Sequence, residues 1–209
     1  MKRLVAILAG LVMVASLSAC GKQPVEEINA TKAAVEAAAV DGTVYAAEDC
    51  KQVNDSMTAA MAEVKVQDEK FFKNYDKASQ MLAQVKTQAD SVKAKAAAEK
   101  ERMKAKAAAD LAAAQTAVGE AKALVDKAPS GKGSAADIMA MKADVAGMEA
   151  ALPEIQPMID GGDYMGASAK AVAISEKAAG VTAAVQEAMA KKAAAKGTKG
   201  AKAAKGGKK

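Results

Sequence analysis

The chain has 209 residues, of which 51% are apolar and only 2% aromatic, and it contains no histidine. Alanine has the best helix propensity but buries little surface, so this composition excludes a thick globular core and favours helices that pack through narrow seams. The lack of histidine removes the commonest general base and the commonest transition-metal ligand. Subtracting Lys2, Arg3 and the eight lysines of residues 191–209 turns the formal charge of +5 into −5 for residues 20–190, so the body is acidic and the C-terminal segment basic.

The first twenty residues have the order of a secretory signal. Two basic residues precede an apolar run from Leu4 to Leu17, which is too short to span a bilayer. The tetrapeptide Leu17-Ser18-Ala19-Cys20 resembles the lipobox of bacterial lipoproteins. This resemblance implies cleavage between Ala19 and Cys20, a diacylglycerol on the Cys20 thiol and a further acyl chain on the new amino group. An ordinary signal peptide that happens to precede a cysteine is the alternative.

The same resemblance implies a location. Each buried methylene contributes about 0.8 kcal/mol, so one acyl chain anchors a protein only marginally and two or three anchor it firmly. In enterobacterial lipoproteins, an aspartate after the lipid-bearing cysteine retains the protein at the inner membrane. Gly21 occupies this position here. The resemblance therefore implies a lipid anchor in the outer membrane with the protein facing the periplasm, and the inner membrane is the less favoured alternative.

Apolar residues spaced alternately by three and four predict a series of helices, because that spacing keeps side chains on one helical face. The third helix contains no glycine or proline between Tyr75 and Gly119, and its pattern continues to Lys127. Its middle, residues 93–110, has Met103 as its only large apolar side chain, so packing there is expected to be thin. In chain order the seams run from Ile28 to Ala38, from Cys50 to Phe71, from Tyr75 to Ala128, from Ile138 to Ile159 and from Tyr164 to Val185.

The seams repeat at an offset of about 88 to 90 residues, which is best interpreted as a duplicated three-helix unit. Tyr75 then matches Tyr164, and Phe71 matches Ile159. Chance similarity in an alanine-rich chain is the alternative. The predicted fold is all-α: an elongated antiparallel helical bundle of two three-helix units, similar in plan to spectrin repeats, which share one continuous helix over about 75–127. The predicted segments are a signal peptide (1–19), a first three-helix unit (20–100), a second (101–190) and a disordered basic tail (191–209).

Turn residues predict where the helices end. Asp41-Gly42 is expected to end the first helix, Lys73-Asn74 to separate the second from the third, and Gly161-Gly162-Asp163 to precede the last. Asn74 and Asp163 are each expected to cap the helix that follows.

Two further breaks are expected in the second unit. Residues 129–134 are rich in proline, glycine and serine and predict the clearest loop in the chain, with Ser134 and Asp137 spaced as a capping box. Pro153 and Pro157 remove two backbone donors, so they should kink the fourth helix near its end.

The residues that could carry chemistry are few. Cys50 has no histidine and no second cysteine at redox spacing, and it matches Ile138 in the repeat, so a buried apolar role is expected. Asp160 and Asp163 flank two glycines, but two carboxylates fall short of a calcium site, and turn or cap roles are preferred. No strand pattern and no phosphate-binding glycine loop is present. The sequence therefore predicts no enzyme, no cofactor and no metal.

The large side chains near predicted turns and in the seams are expected to be structural. Met57, Met141 and Met148 lie in the seams and should pack in the core. The aromatic residues should plug the ends of the bundles. They are Tyr45, Phe71, Phe72, Tyr75 and Tyr164.

The C-terminal segment contains eight lysines and no acid, and such a segment is expected to be disordered and available to an anionic partner. A tail that only confers solubility is the alternative. A nucleic-acid partner is not expected, because no aromatic residue interleaves the lysines and an exported protein rarely meets DNA. The candidate polymer-binding residues are Lys191, Lys192, Lys196, Lys199, Lys202, Lys205, Lys208 and Lys209.

Two functional hypotheses follow. Tyr45-Ala46-Ala47-Glu48-Asp49 and Gly162-Asp163-Tyr164, within an alanine-rich body, resemble an uncharacterised family of small helical envelope lipoproteins. The first hypothesis is a structural lipoprotein whose acyl chains hold the membrane and whose tail contacts an anionic polymer such as peptidoglycan. The second is a helical interaction module that docks an unidentified envelope protein.

Overall fold

The computed structural model describes residues 21–128 and 135–205, with side chains described as far as residue 192. Throughout these ranges the regular structure is helical, and no strand is present in them. The predicted all-α helical bundle is confirmed, and its long helix runs over Asp76–Lys127. The helices are α1 (Val25–Tyr45), α2 (Ala47–Asp68), α3 (Asp76–Lys127), α4 (Ala135–Ala151), α5 (Ile155–Asp160) and α6 (Tyr164–Lys205).

The chain divides into two compact units, with the division between Lys100 and Glu101 inside α3. Unit 1 has its own core, formed by α1, α2 and the first half of α3. Unit 2 has a second core, formed by the remainder of α3 with α4, α5 and α6. Each core therefore combines one part of α3 with helices that belong to that unit alone.

Small and branched side chains form a buried seam along α3, and this seam contributes residues to both cores. Its buried alanines are completely inaccessible to solvent, and between them lie buried leucines and valines. The seam is thin in the middle, as expected, because no residue between Ala96 and Ala107 is buried and Met103 is only half-buried. The buried alanines of α3 are Ala78, Ala89, Ala96, Ala107, Ala114 and Ala121.

The predicted end of the first helix at Asp41-Gly42 is wrong, because α1 continues to Tyr45. Gly42 is buried inside the helix, where its carbonyl accepts the Ala46 N–H at 2.9 Å. A Cβ added at Gly42 would lie 3.2 Å from Val92 Cγ1 and 3.5 Å from Cys50 Sγ. Gly42 therefore does not end α1 but lets α2 and α3 pack closely against it. The sequence alone does not show which of these two roles a glycine has.

The other turns lie where the sequence places them. Residues 69–75 separate α2 from α3, and Asn74 Oδ1 accepts the Asp76 N–H at 2.8 Å. Before α6, Gly162 has a φ of +84°, a left-handed conformation that favours glycine. Asp163 Oδ1 accepts the Gly166 N–H at 2.9 Å, which is the N-cap contact expected of it.

The two prolines interrupt the fourth helix as predicted. The α4 helix ends at Ala151, and a 3₁₀ turn over Leu152–Glu154 contains Pro153. The chain resumes as α5, which contains Pro157. The predicted loop at 129–134, including the capping role of Ser134, lies outside the described residues.

The tail predicted to be disordered from residue 191 begins within α6, whose helix extends to Lys205. Alanine and lysine are good helix formers, and extension of an existing helix adds one hydrogen bond per residue without a new nucleation step. Every side chain from Gln186 to Lys192 is exposed, so the helix continues past Val185, the last residue described as buried, without packing in that stretch. Residues 206–209 lie outside the described part of the chain.

We predict that Ala89→Leu destabilises the protein by about 1 to 3 kcal/mol, because a larger side chain would be forced into a fully packed seam. The matched control is Ala83→Leu on the exposed face of the same helix, which should change stability by less than about 0.5 kcal/mol. Urea unfolding followed by circular dichroism measures both. Equal effects of the two substitutions would contradict a packed alanine seam.

Candidate functional site

The predicted acylation and cleavage residues, Cys20 and Ala19, lie outside the described residues. The first residue described is Gly21, whose φ of +99° lies in the region that favours glycine. Four residues separate Cys20 from the first helical residue, Val25. Pro24 is buried, and its carbonyl accepts the Ile28 N–H at 2.9 Å. The helical unit therefore begins almost directly after the predicted lipid attachment point.

The carboxylate of Asp68, at the end of α2, connects the segment that precedes α1 to the start of α3. Asp68 Oδ2 accepts a hydrogen bond of 3.1 Å from Gln23 Nε2. Its other oxygen, Oδ1, accepts the hydroxyl of Tyr75, the residue directly before α3. Asp68 therefore holds the N-terminal segment, the end of α2 and the start of α3 together at one end of unit 1. We call this the entry end.

The Asp68 carboxylate raises the pKa of Tyr75 to about 12. The main cause is the hydrogen bond itself, which is lost when the phenol deprotonates. Burial of the tyrosine, which is 2% exposed, acts in the same direction. Tyr75 is thus the aromatic residue that plugs this end of the bundle, as predicted.

A second carboxylate at this end, that of Glu63, explains why the α2 seam contains one polar residue. Gln67 is buried, and its Nε2 donates to Glu63 Oε1 at 2.8 Å. Lys77 Nζ, on α3, donates to Glu63 Oε2 at 2.7 Å. The hydrogen bond from Lys77, followed by that from Gln67, lowers the pKa of Glu63. The entry end is therefore tied by two carboxylates on α2.

The prediction that Phe71 and Phe72 plug the bundle is wrong, because they are 93% and 86% exposed. The α2 helix ends at Asp68, so Phe71 is not on its buried face, although the three-and-four spacing continues through it. The two rings pack edge to face with centroids 5.0 Å apart. Sequence reasoning missed this surface pair, and the available signal was the run Lys70-Phe71-Phe72-Lys73, in which lysines flank adjacent aromatics. The remaining aromatic residues, Tyr45 and Tyr164, are half-buried.

The residues considered for catalysis or metal binding have structural positions. Cys50 is a free thiol and is 5% exposed, which confirms its expected place in the core. Asp160 Oδ1 accepts a hydrogen bond from Gln156 Nε2 at 2.9 Å, and Asp163 caps α6. Over the described ranges, no three potential ligands among cysteine, aspartate and glutamate are grouped to hold a metal ion.

Unit 2 contains a polar cluster that sequence reasoning missed. Lys106 Nζ donates to Asp110 Oδ2 at 2.6 Å and contacts Ser168 Oγ at 2.9 Å. The Ser168 hydroxyl, which is buried on α6, also donates to Asp110. These hydrogen bonds, foremost the one from Lys106, lower the pKa of Asp110. Because the two contacts of Ser168 join residues 58 and 62 positions apart, they have no local sequence signature.

The lysines of the tail lie on or beyond the last part of α6. Lys191 is exposed, and its amine forms an ion pair of 2.6 Å with Glu187, which raises the pKa of Lys191 mainly through the hydrogen bond. Lys196, Lys199, Lys202 and Lys205 follow at every third position of the helix. Each step of three residues turns about 300° around an α-helix, so consecutive lysine positions are only about 60° apart. Lys208 and Lys209 lie outside the described residues.

A groove of about 760 Å³ lies between α4 and α6 within unit 2. Two of the residues lining it are Gly147 and Gly180, where an added Cβ would meet nothing within 4 Å. Small side chains keep the groove open, and charged side chains also line it. The small and charged residues that line it are Asp137, Ala140, Ala143, Asp144, Gly147, Ala151, Lys177, Gly180 and Ala184.

Across residues 21–128 and 135–205, no helix has the length and apolar character required to cross a membrane. No protein-family model, curated protein or solved structure matches this chain. The resemblance to bacterial lipoproteins therefore depends on the chain's own first twenty residues.

We predict that Tyr75 titrates near pH 12 and that Asp68→Asn lowers this pKa towards the ordinary value of 10.0. Tyrosinate absorbance measures the titration, and subtracting the curve of a Tyr75→Phe variant isolates Tyr75. Since the pKa is raised only in the folded state, stability is retained below pH 10 and falls as the pH rises from about 10 to 12. An identical Tyr75 titration in wild type and Asp68→Asn would contradict the contact.

Proposed function

We propose that this chain is a membrane-anchored structural lipoprotein of the bacterial cell envelope. The observation that carries the proposal is the order of residues 1–20: two basic residues, an apolar run and the lipobox-like Leu17-Ser18-Ala19-Cys20. The helical unit that begins at Val25 supports it, because only a short segment separates the acylated residue from a folded body. Acylation at Cys20 would hold unit 1 close to the bilayer surface.

The proposed location is the outer membrane, with the helical units in the periplasm. Gly21 directly follows the proposed lipid-bearing cysteine, in place of the aspartate that retains enterobacterial lipoproteins at the inner membrane. The protein is proposed to act without catalysis, cofactor or metal, and its role is to connect the membrane to another envelope component.

That component is proposed to be an anionic polymer such as peptidoglycan. The α6 helix carries lysines over its last fifteen residues with no acid among them, while the body of the chain is acidic. A backbone that is already helical loses less conformational entropy on binding than an unfolded one. Electrostatic contact with a polyanion follows from this charge distribution.

We predict that radioactive palmitate labels the protein in cells and that the labelled protein sediments with outer membranes. Cys20→Ala should abolish the labelling, because the second cysteine of the chain, Cys50, is buried and not accessible for acylation. Cys50→Ala is the matched control and should keep both the label and the membrane location. Labelling that survives Cys20→Ala, or a wild-type protein free of membranes after export, would refute the proposal.

For the tail, we predict that replacing all eight lysines of residues 191–209 by glutamine releases most of the protein from isolated sacculi. Replacing the same lysines by arginine is the matched control, because it keeps the charge and a similar helix propensity, and it should preserve retention. Raised salt should release the wild-type protein just as the glutamine substitutions do, because screening weakens interactions between exposed charges. Equal retention of the two variants would exclude the lysine charges from the mechanism.

The second candidate function is an interaction module for an envelope protein, and the groove between α4 and α6 favours it. Small residues that line it would let a helix approach closely, and a groove between two helices suits a helical segment. Crosslinking in cells from Ala140, in the groove, separates the two functions. A discrete stoichiometric protein product supports the module, whereas products with wall fragments support the tether.

A further inference from the structure

The chain contains two phenylalanines, and both are presented to solvent on the loop between α2 and α3. Large apolar side chains that are exposed next to each other form the kind of surface patch that marks an interaction site. Phe71 and Phe72 contact each other edge to face. In a chain with so few aromatic residues, the exposure of both phenylalanines indicates that their role is not core packing.

The two units differ at the seam position that Phe71 occupies in unit 1. In the repeat pattern, Phe71 corresponds to Ile159, which is buried in the core of unit 2 at 7% exposure. The α5 helix continues to Asp160 and keeps Ile159 on its packed face, whereas α2 stops at Asp68. The same seam position is therefore core in unit 2 and surface in unit 1. Core packing does not explain Phe71.

The phenylalanine pair lies at the entry end of unit 1. Gln23 and Asp68 are joined there by a hydrogen bond of 3.1 Å. Cys20 precedes Gln23 by three residues, and Phe71 follows Asp68 by three residues. Three residues of chain span at most about 11 Å. The phenylalanine pair and the attachment point of any acyl chain on Cys20 are therefore both within short reach, along the chain, of the same contact.

The residues around the pair suit a lipid surface. Lys70 and Lys73 flank the phenylalanines, and both are exposed. Glu69 is the one acid between the end of α2 and Lys73. Lysine side chains lay their apolar stems along a hydrocarbon boundary while the amines reach the headgroups, and aromatic rings enter the region between headgroups and acyl chains. A loop of this composition fits a bilayer that contains anionic lipid.

We propose that Phe71 and Phe72 insert into the leaflet that holds the acyl chains of Cys20, with Lys70 and Lys73 facing lipid phosphates. The inference rests on the proposed lipid anchor and adds a second, non-covalent membrane contact to it. Acyl chains at a single point of attachment do not by themselves fix which face of a folded unit meets the surface. A second contact at the same end fixes which face of unit 1 meets the bilayer.

Tryptophan fluorescence tests the proposal, because the chain has no tryptophan of its own. Full-length acylated protein carrying Phe71→Trp is reconstituted into vesicles of phosphatidylethanolamine and phosphatidylglycerol, with or without brominated acyl chains. The matched control is Val40→Trp, an exposed site on α1 about 22 Å along the helix from Val25. Because both sites are exposed, neither substitution should disturb the fold, and circular dichroism verifies this. Phe72→Trp provides an independent second probe.

The expected result is a shift of the Phe71→Trp emission to shorter wavelength and clear quenching by brominated lipid, with neither change for Val40→Trp. Changing Lys70 and Lys73 together to glutamine should reduce the quenching. Acylated protein that floats with vesicles but shows no quenching at either phenylalanine position would overturn this inference and leave the anchor intact. Protein that carries no acyl chain would overturn the proposed function and this inference together. A concentration-dependent emission shift without vesicles, and no quenching with them, would assign the pair to self-association instead.

Discussion

Close approach of helices through alanine is the constraint on which the rest of this structure depends. Along α3, fully buried alanines alternate with leucines and valines, and the partner helices pack directly against them. Each alanine contributes little apolar area, so no single contact dominates either core. Stability is instead distributed over the length of the seams, and this is why two helical units can form with so few aromatic side chains. Gly42 is the extreme case, because even one added methyl group would press on Val92.

The helical architecture could be predicted from sequence because its signal is periodic and local. The three-and-four spacing identified the long helix over 75–127 to within one residue, and the prolines identified the interruption after Ala151. Helix ends were harder to predict. Gly42 has the appearance of a terminator but serves close packing, and the glycines after residue 196 do not stop α6. A glycine in a helix costs about 1 kcal/mol relative to alanine, which packing or neighbouring alanines can offset.

The candidate site likewise contains residues that could be predicted from sequence and residues that could not. A lipobox is contiguous in sequence, so Cys20 could be chosen without a structure. The contact between Gln23 and Asp68 joins residues 45 positions apart, and no local pattern announces it. Phe71 was misplaced because periodicity alone does not show that α2 ends three residues earlier, where the Asp68 carboxylate accepts the Tyr75 hydroxyl. Residues whose role depends on such tertiary contacts become visible only when the helices are assembled.

The burial of Cys50 bears on how the protein would survive export. An extracytoplasmic compartment is oxidising, and a thiol without an intramolecular partner there is open to mixed disulfides and to overoxidation. Cys50 is 5% exposed, with its sulfur 3.5 Å from the position that a Gly42 side chain would occupy. The helix crossing that Gly42 permits therefore also shields the sulfur. In an exported protein, tight packing at this point would protect the thiol chemically without a second cysteine.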